Sequence, residues 1–299
     1  MKYLFTLILL LFFLPGIGQA DDQDYPWLSH QAVVDTITSR FLPPAGFKRT
    51  AESVGSFGDW LRHLPLKAEG TPVRMYNGAL KYNRDAYCAV IDIDTGKRDL
   101  QQCADAVIRL RAEYLFSRTD FSHIRFNFTS GDPASYQQWR QGYRPIIRGN
   151  HVSWKHSTGE DDSYQTFRQY LDSVFTYAGS WSLSRELRPR HSVRNIHIGD
   201  VFIKGGFPGH AVIVVDMATR PETGEKVFLL AQSYMPAQDI HILQNPNRND
   251  DSPWYSIPRG HQLKTPEWTF KTTELMTFGD PQASRISSTR KMIQSAPGS

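Results

Sequence analysis

Gly209-His210-Ala211-Val212-Ile213-Val214-Val215-Asp216-Met217 is a long apolar run that opens on a glycine and leads to the turn Pro221-Glu222-Thr223-Gly224. Val227-Phe228-Leu229-Leu230-Ala231-Gln232 returns from that turn. Two apolar runs of strand length joined by a Pro/Gly turn read as a hairpin buried in a sheet. Upstream, Gly199-Asp200 opens a third run, Val201 to Ile203, and Gly205-Gly206 turns it toward His210. Downstream, Ile240 to Leu243 adds another strand. Connections this short join antiparallel neighbours, so the C-terminal third is an antiparallel sheet.

The elements before that sheet are mostly helical. Phe167, Tyr170, Leu171, Val174 and Phe175 form one stripe of a helix over about 163–178, and a helix from about Asp99 to Phe116 carries Leu100, Cys103, Val107, Leu110 and Tyr114 on one side. Asp99 is the expected N-cap of that helix. Shorter helices are expected over Tyr25–Phe41, Phe57–Leu66 and Tyr136–Tyr143, and strands over Ala86–Ile93 and Ile124–Thr129. His151, Trp154 and His156 read as an exposed loop. Helices first and sheet last define an α+β fold rather than an alternating α/β one. The organisation expected is one domain over residues 21–278 with an insertion at about 120–195, followed by a polar tail over 279–299.

The first twenty residues read as an export signal. Lys2 begins it, Leu4 to Leu14 form its apolar stretch, and Gly18-Gln19-Ala20 supply a small-x-small cleavage site. The mature chain is therefore expected in a bacterial periplasm or outside the cell. No later segment is apolar enough to span a membrane. The 299 residues are 40% hydrophobic and 12% aromatic, which is ample for a core. Net charge is +4, and +3 once Lys2 is removed, too weak a bias to imply nucleic acid. No basic run interleaved with aromatics is present, and no phosphate-binding loop, dinucleotide fingerprint or Gly-x-Ser-x-Gly motif. His151 and His156 lack partners at metal-ligand spacing, so neither a metal nor a cofactor is expected.

Two residue types then carry chemistry. Cys103 sits near a helix start, where unpaired N–H groups and the helix dipole favour a thiolate. His210 enters the buried strand, and an imidazole that meets the thiol can take its proton and later protonate a leaving amine. The Cys103 backbone N–H and a side-chain amide from Gln101 or Gln102 are the candidate donors to a developing oxyanion. Gln232, closing the return strand, is the candidate to orient His210, since its amide oxygen accepts an imidazole N–H. Asp216 lies ~20 Å along an extended strand from His210 and is a poor orienter. Gly209, Phe207 and Trp154 are the candidate cleft residues. The competing reading starts from Cys88, the only other cysteine. In an oxidising compartment the two form a disulfide or stay buried, and the chain is a non-catalytic module that binds envelope material or glycan.

The Gly-Asp strand, the Gly-His-Ala-Val-Ile-Val-Val strand and the Gln102-Cys103 pair resemble the motifs of CHAP and NlpC-like amidases. That resemblance implies a papain-like core with a cysteine nucleophile and a histidine base, and a cell-envelope peptide or amide as substrate. Over most of its length the chain also resembles a family of exported bacterial proteins, domain of unknown function 4846. The matching stretches are Asp99 to Ala106, Gly209 to Asp216 and Leu229-Leu230-Ala231-Gln232-Ser233-Tyr234-Met235-Pro236-Ala237-Gln238. The second resemblance implies no activity.

Overall fold

The structure is a computed structural model, described here over residues 25–28, 33 and 35–279. The expected export signal and nearly all of the expected tail lie outside those residues. The strands in chain order are β1 (Lys48–Arg49), β2 (Tyr87–Val90), β3 (Arg125–Asn127), β4 (Pro133–Ser135), β5 (Tyr143–Arg148), β6 (His151–His156) and β7 (Arg188–Pro189). They continue with β8 (Val201–Lys204), β9 (His210–Thr219), β10 (Lys226–Gln232), β11 (His241–Leu243), β12 (Tyr255–Ser256), β13 (Gln262–Lys264), β14 (Thr269–Lys271) and β15 (Leu275–Thr277). The helices are α1 (Ile37–Arg40), α2 (Phe57–Arg62), α3 (Cys103–Ser117), α4 (Tyr136–Arg140), α5 (Tyr164–Tyr177) and α6 (Ser180–Glu186).

A nine-stranded sheet runs β2-β11-β10-β9-β8-β15-β7, with β1 against β9 and β12 against β10. Every pairing in it is antiparallel. The fold is α+β. Strand β9 is buried along nearly its whole length: α2 and α3 pack on it, and Phe270 of β14 packs on His210 and on Phe202 of the neighbouring strand. A strand covered on both faces reads as a continuous apolar run rather than an alternating one.

Helix α3 is sandwiched. One side lies on β9 and β10. The other meets the segment 120–195, where Phe116 stacks on Phe167 of α5 at 4.3 Å and contacts Tyr136 of α4 at 6.1 Å. Arg109, fully buried, donates to Glu113 at 2.5 Å, and Tyr164 donates to the same carboxylate at 2.7 Å. A buried guanidinium with its counter-charge and hydrogen bonds in place thus joins α3 to α5.

Three expected elements are corrected. Among the described residues of the helix expected over Tyr25–Phe41, only a 3-10 turn at Pro26–Leu28 and α1 are helical, and just before α1 Thr36 bridges Pro65 while Leu66 N–H donates to Asp35 O at 2.9 Å. The cap of α3 is Gln102, not Asp99, whose Oδ1 is already taken by the Ala237 N–H at 2.7 Å and the Gln102 side-chain amide at 3.0 Å. The loop expected around Trp154 is the hairpin β5–β6, with Trp154 opposite Pro145 and Gly149 in the turn at φ 59°. Among the described residues no helix is long and apolar enough to cross a membrane.

Candidate active site

Cys103 is the first residue of α3 and His210 the first of β9. Both line one cavity of about 980 Å³. The segment Ser233 to Gln238 straps the start of α3 to the sheet. Ser233 Oγ, with one proton to share, lies 3.1 Å from Gln101 O and 2.8 Å from Gln238 O, while the Ala237 N–H donates to Asp99 Oδ1. The stretches around Cys103, His210 and Ser233 therefore meet at one place. Gly209 is required there by close packing: a Cβ would fall under 3.0 Å from Ser180 Oγ, Gly206 O and Lys204 O.

The Ala211 backbone N–H points to the Cys103 sulfur and, with that of Ala104, favours the thiolate. Burial, and after it the Asp105 carboxyl, outweigh them and push the thiol up to about 11. Burial also pushes His210 down to about 4, with the Lys81 ammonium acting in the same direction and the Gln232 bond against it. The lowering expected of a thiol at a helix start is thus overturned by desolvation. At neutral pH the pair rests as thiol and imidazole. The sulfur and the ring make no hydrogen bond to each other among the described residues.

The tautomer of His210 follows from its neighbours. Gln232 Nε2 lies 2.7 Å from Glu267 Oε2, and a carboxylate only accepts, so that atom is the amide nitrogen. The same nitrogen donates to His241 Nε2 at 3.3 Å, a ring atom left as acceptor because His241 Nδ1–H donates to Asp239 O at 2.8 Å. Gln232 Oε1 must then accept from His210 Nε2–H, at 2.8 Å. The lone pair of His210 is on Nδ1, which makes no hydrogen bond among the described residues. Glu267 is itself held by Lys81, whose Nζ lies 2.8 Å from Oε1 and donates to Gln238 Oε1 at 2.9 Å. Tyr234, Trp268 and Phe270 surround the His210 ring at 4.9, 5.4 and 5.8 Å.

The other sequence candidates divide. Gln102 lines the cavity, and its amide, bound to Asp99 through one N–H, keeps a second. Gln101 does not line it; its Oε1 accepts from buried Arg109 at 2.8 Å. Gly209 and Phe207 line the cavity, whereas Trp154 stays on its hairpin and the tryptophans present are Trp181 and Trp268. Cys88 and Cys103 are both free thiols. Cys88 faces Ile242 O at 3.7 Å, and burial pushes it up to about 12. Asp216 ends in a double ion pair with Arg49 at 2.8 Å and Arg62 at 3.0 Å. Asp200, the acid of the Gly-Asp motif, is clamped by Arg190 at 2.7 Å and serves the sheet edge.

Lys81, Glu267 and Trp268 were not legible as site residues. They come from irregular chain far from either motif, with no periodicity to place them. No group of side chains suited to a metal ion occurs among the described residues. The family described as Domain of unknown function (4846) matches residues 37–277, and the chain belongs to it. No curated protein and no solved structure matches the chain.

Proposed function

We propose that this chain is an exported cysteine hydrolase with a papain-like catalytic arrangement, an amidase or endopeptidase acting on peptide or amide bonds of the cell envelope. One observation carries the reading. A cysteine at a helix start and a histidine whose tautomer leaves Nδ1 as base share one cavity, with Gln232 fixing the ring. His210 Nδ1 takes the thiol proton as the sulfur attacks the carbonyl carbon, forming the C–S bond. The oxyanion is met by the Cys103 N–H and the Gln102 amide. His210 returns the proton to the leaving amine as the C–N bond breaks. Water then cleaves the thioester, releasing acid and restoring the thiol. Because the resting pair is neutral, proton transfer accompanies attack rather than preceding it, as for a serine nucleophile. Both thiols are free rather than joined in a disulfide, which supports the reading, while the burial of Cys103 is what the non-catalytic alternative also expects.

The test is hydrolysis of envelope-derived peptides and simple activated acyl compounds by the wild type, Cys103→Ala and His210→Ala. Loss of ~10³-fold or more in kcat/KM is expected for each variant. Equal rates in wild type and Cys103→Ala would end the reading.

A further inference from the structure

The cavity at Cys103 has a chemical character of its own. Phe175, Trp181, Phe207, Met235 and Trp268 dominate its walls, and Leu100 and Ala104 extend that surface along the start of α3. Apart from His210, no basic side chain among the described residues lines it. Of its two acids, Asp99 accepts two N–H groups through Oδ1, and Asp105 accepts the Gln102 N–H through Oδ2 at 3.1 Å while its Oδ1 makes no hydrogen bond among the described residues. Burial pushes Asp105 up to about 8, so it stays uncharged at neutral pH. The mouth is apolar too. Phe207 is 95% exposed, Met235 50% and Trp181 48%, and all three stand on this rim. Large side chains left in water around a concave apolar site mark where a ligand removes them from water.

We infer that the acyl part of the substrate is uncharged and apolar, an aliphatic or aromatic acyl group laid along the walls formed by Phe175, Trp181 and Phe207. This rests on the cysteine hydrolase reading and narrows it to a substrate class. An acidic acyl group finds no cation to receive it and loses its hydration on entry. An apolar one removes its own surface and that of the exposed rim from water together. Attack by the Cys103 sulfur transfers that group to the enzyme as a thioester, with the alcohol or amine leaving protonated, and water releases the acid.

The experiment compares p-nitrophenyl esters that differ only in the acyl part: acetyl, butyryl, hexanoyl and octanoyl, a succinyl half-acid and an ω-aminoacyl. Wild type, Cys103→Ala, Phe207→Ser and Trp181→Ser are each measured, and intact mass reports the acyl group on Cys103. We expect kcat/KM to rise along the aliphatic series and to exceed the succinyl and ω-aminoacyl esters of matched length by ~10-fold or more. We expect Phe207→Ser and Trp181→Ser to compress the octanoyl-to-acetyl ratio several-fold, since each lays bare part of the wall. Both are surface positions, so the folded state is retained. Cys103-dependent turnover with charged esters equal to or faster than the aliphatic ones overturns the inference and leaves the hydrolase reading intact. No ester turned over faster by wild type than by Cys103→Ala overturns both.

Discussion

Gln232 joins two histidines and a carboxylate, and its amide decides which nitrogen of His210 is a base. Glu267 holds that amide in one orientation, which makes it a positioning residue. In Glu267→Gln the fixed acceptor is gone, Gln232 can turn over, and the other tautomer of His210 becomes accessible. We expect kcat to fall roughly 10-fold or more with KM little changed. The variant also leaves the Lys81 ammonium unneutralised in a buried place, at a cost of about 3–5 kcal/mol. Urea unfolding of Lys81→Met/Glu267→Gln separates the two effects: removing both charges restores stability while kcat stays low. Recovery of kcat with stability would mean the pair serves only the fold. The same residues set an acid limit. His210 and His241 are pushed down by burial, to about 4 and about 3. Below the unfolded value near 6.5 the unfolded chain binds protons that the folded one refuses. Stability is therefore full above about pH 6.5 and is lost as pH falls through the folded values, by a few kcal/mol between pH 7 and 4. Replacing His241 with Asn should flatten that slope in urea titrations at the two pH values.

Helix α3 begins with two opposed demands on one turn. Asp105 accepts the Gln102 N–H and so caps the helix, yet its other oxygen is buried without a partner. Burial raises its carboxyl to about 8, so its contribution runs opposite to that of the histidines. The unfolded carboxyl ionises near 3.9 while the folded one stays protonated, and stability falls as pH rises through about 8. Asp105→Asn keeps an oxygen for the Gln102 N–H and has nothing to ionise. We expect it to match the wild type at pH 4 and to exceed it in stability at pH 9. Because Asp105 also raises the Cys103 thiol, the variant should be alkylated faster at pH 9, read by iodoacetamide labelling of Cys103. An unchanged labelling rate would show that burial alone governs the thiol. Elements of this kind were legible to different depths. Strands β8 to β11 announce themselves because burial on both faces demands apolar runs. The hairpin β5–β6 does so less, since it is mostly exposed and the only apolar residues of β6 are Val152 and Trp154, set between His151, Ser153 and Lys155. The start of α3 was legible to within a few residues, but its cap was decided by Ala237, a partner far along the chain that no local pattern names.

At the scale of the whole molecule, the sheet and the segment 120–195 build the site together. Cys103, His210 and Gln232 were readable because each sits at the end of a regular element, where pattern changes. The wall opposite them was not, because Phe175 to Trp181 spans the end of α5 and the start of α6, an irregular junction whose place depends on packing across α3. One contact ties the two halves. Ser180 Oγ donates to Gly206 O at 3.1 Å, and the chain passes under it through Gly209 with no room for a side chain. Gly209→Ala forces the chain before β9 away from α6 and moves His210, the first residue of β9, relative to Cys103. Overpacking of this kind costs about 1–3 kcal/mol, which a domain this size survives. Activity is the more sensitive readout, since a shift near 1 Å in a reacting group costs ~100-fold. We expect a folded protein, by circular dichroism and thermal melting, with kcat reduced by that order. Gly209→Ala/Ser180→Ala removes the side-chain clash but leaves the carbonyls of Gly206 and Lys204 in the way, so kcat should stay low. Full recovery in the double variant would show instead that the Ser180 contact alone, and not the backbone of the turn, sets the position of His210.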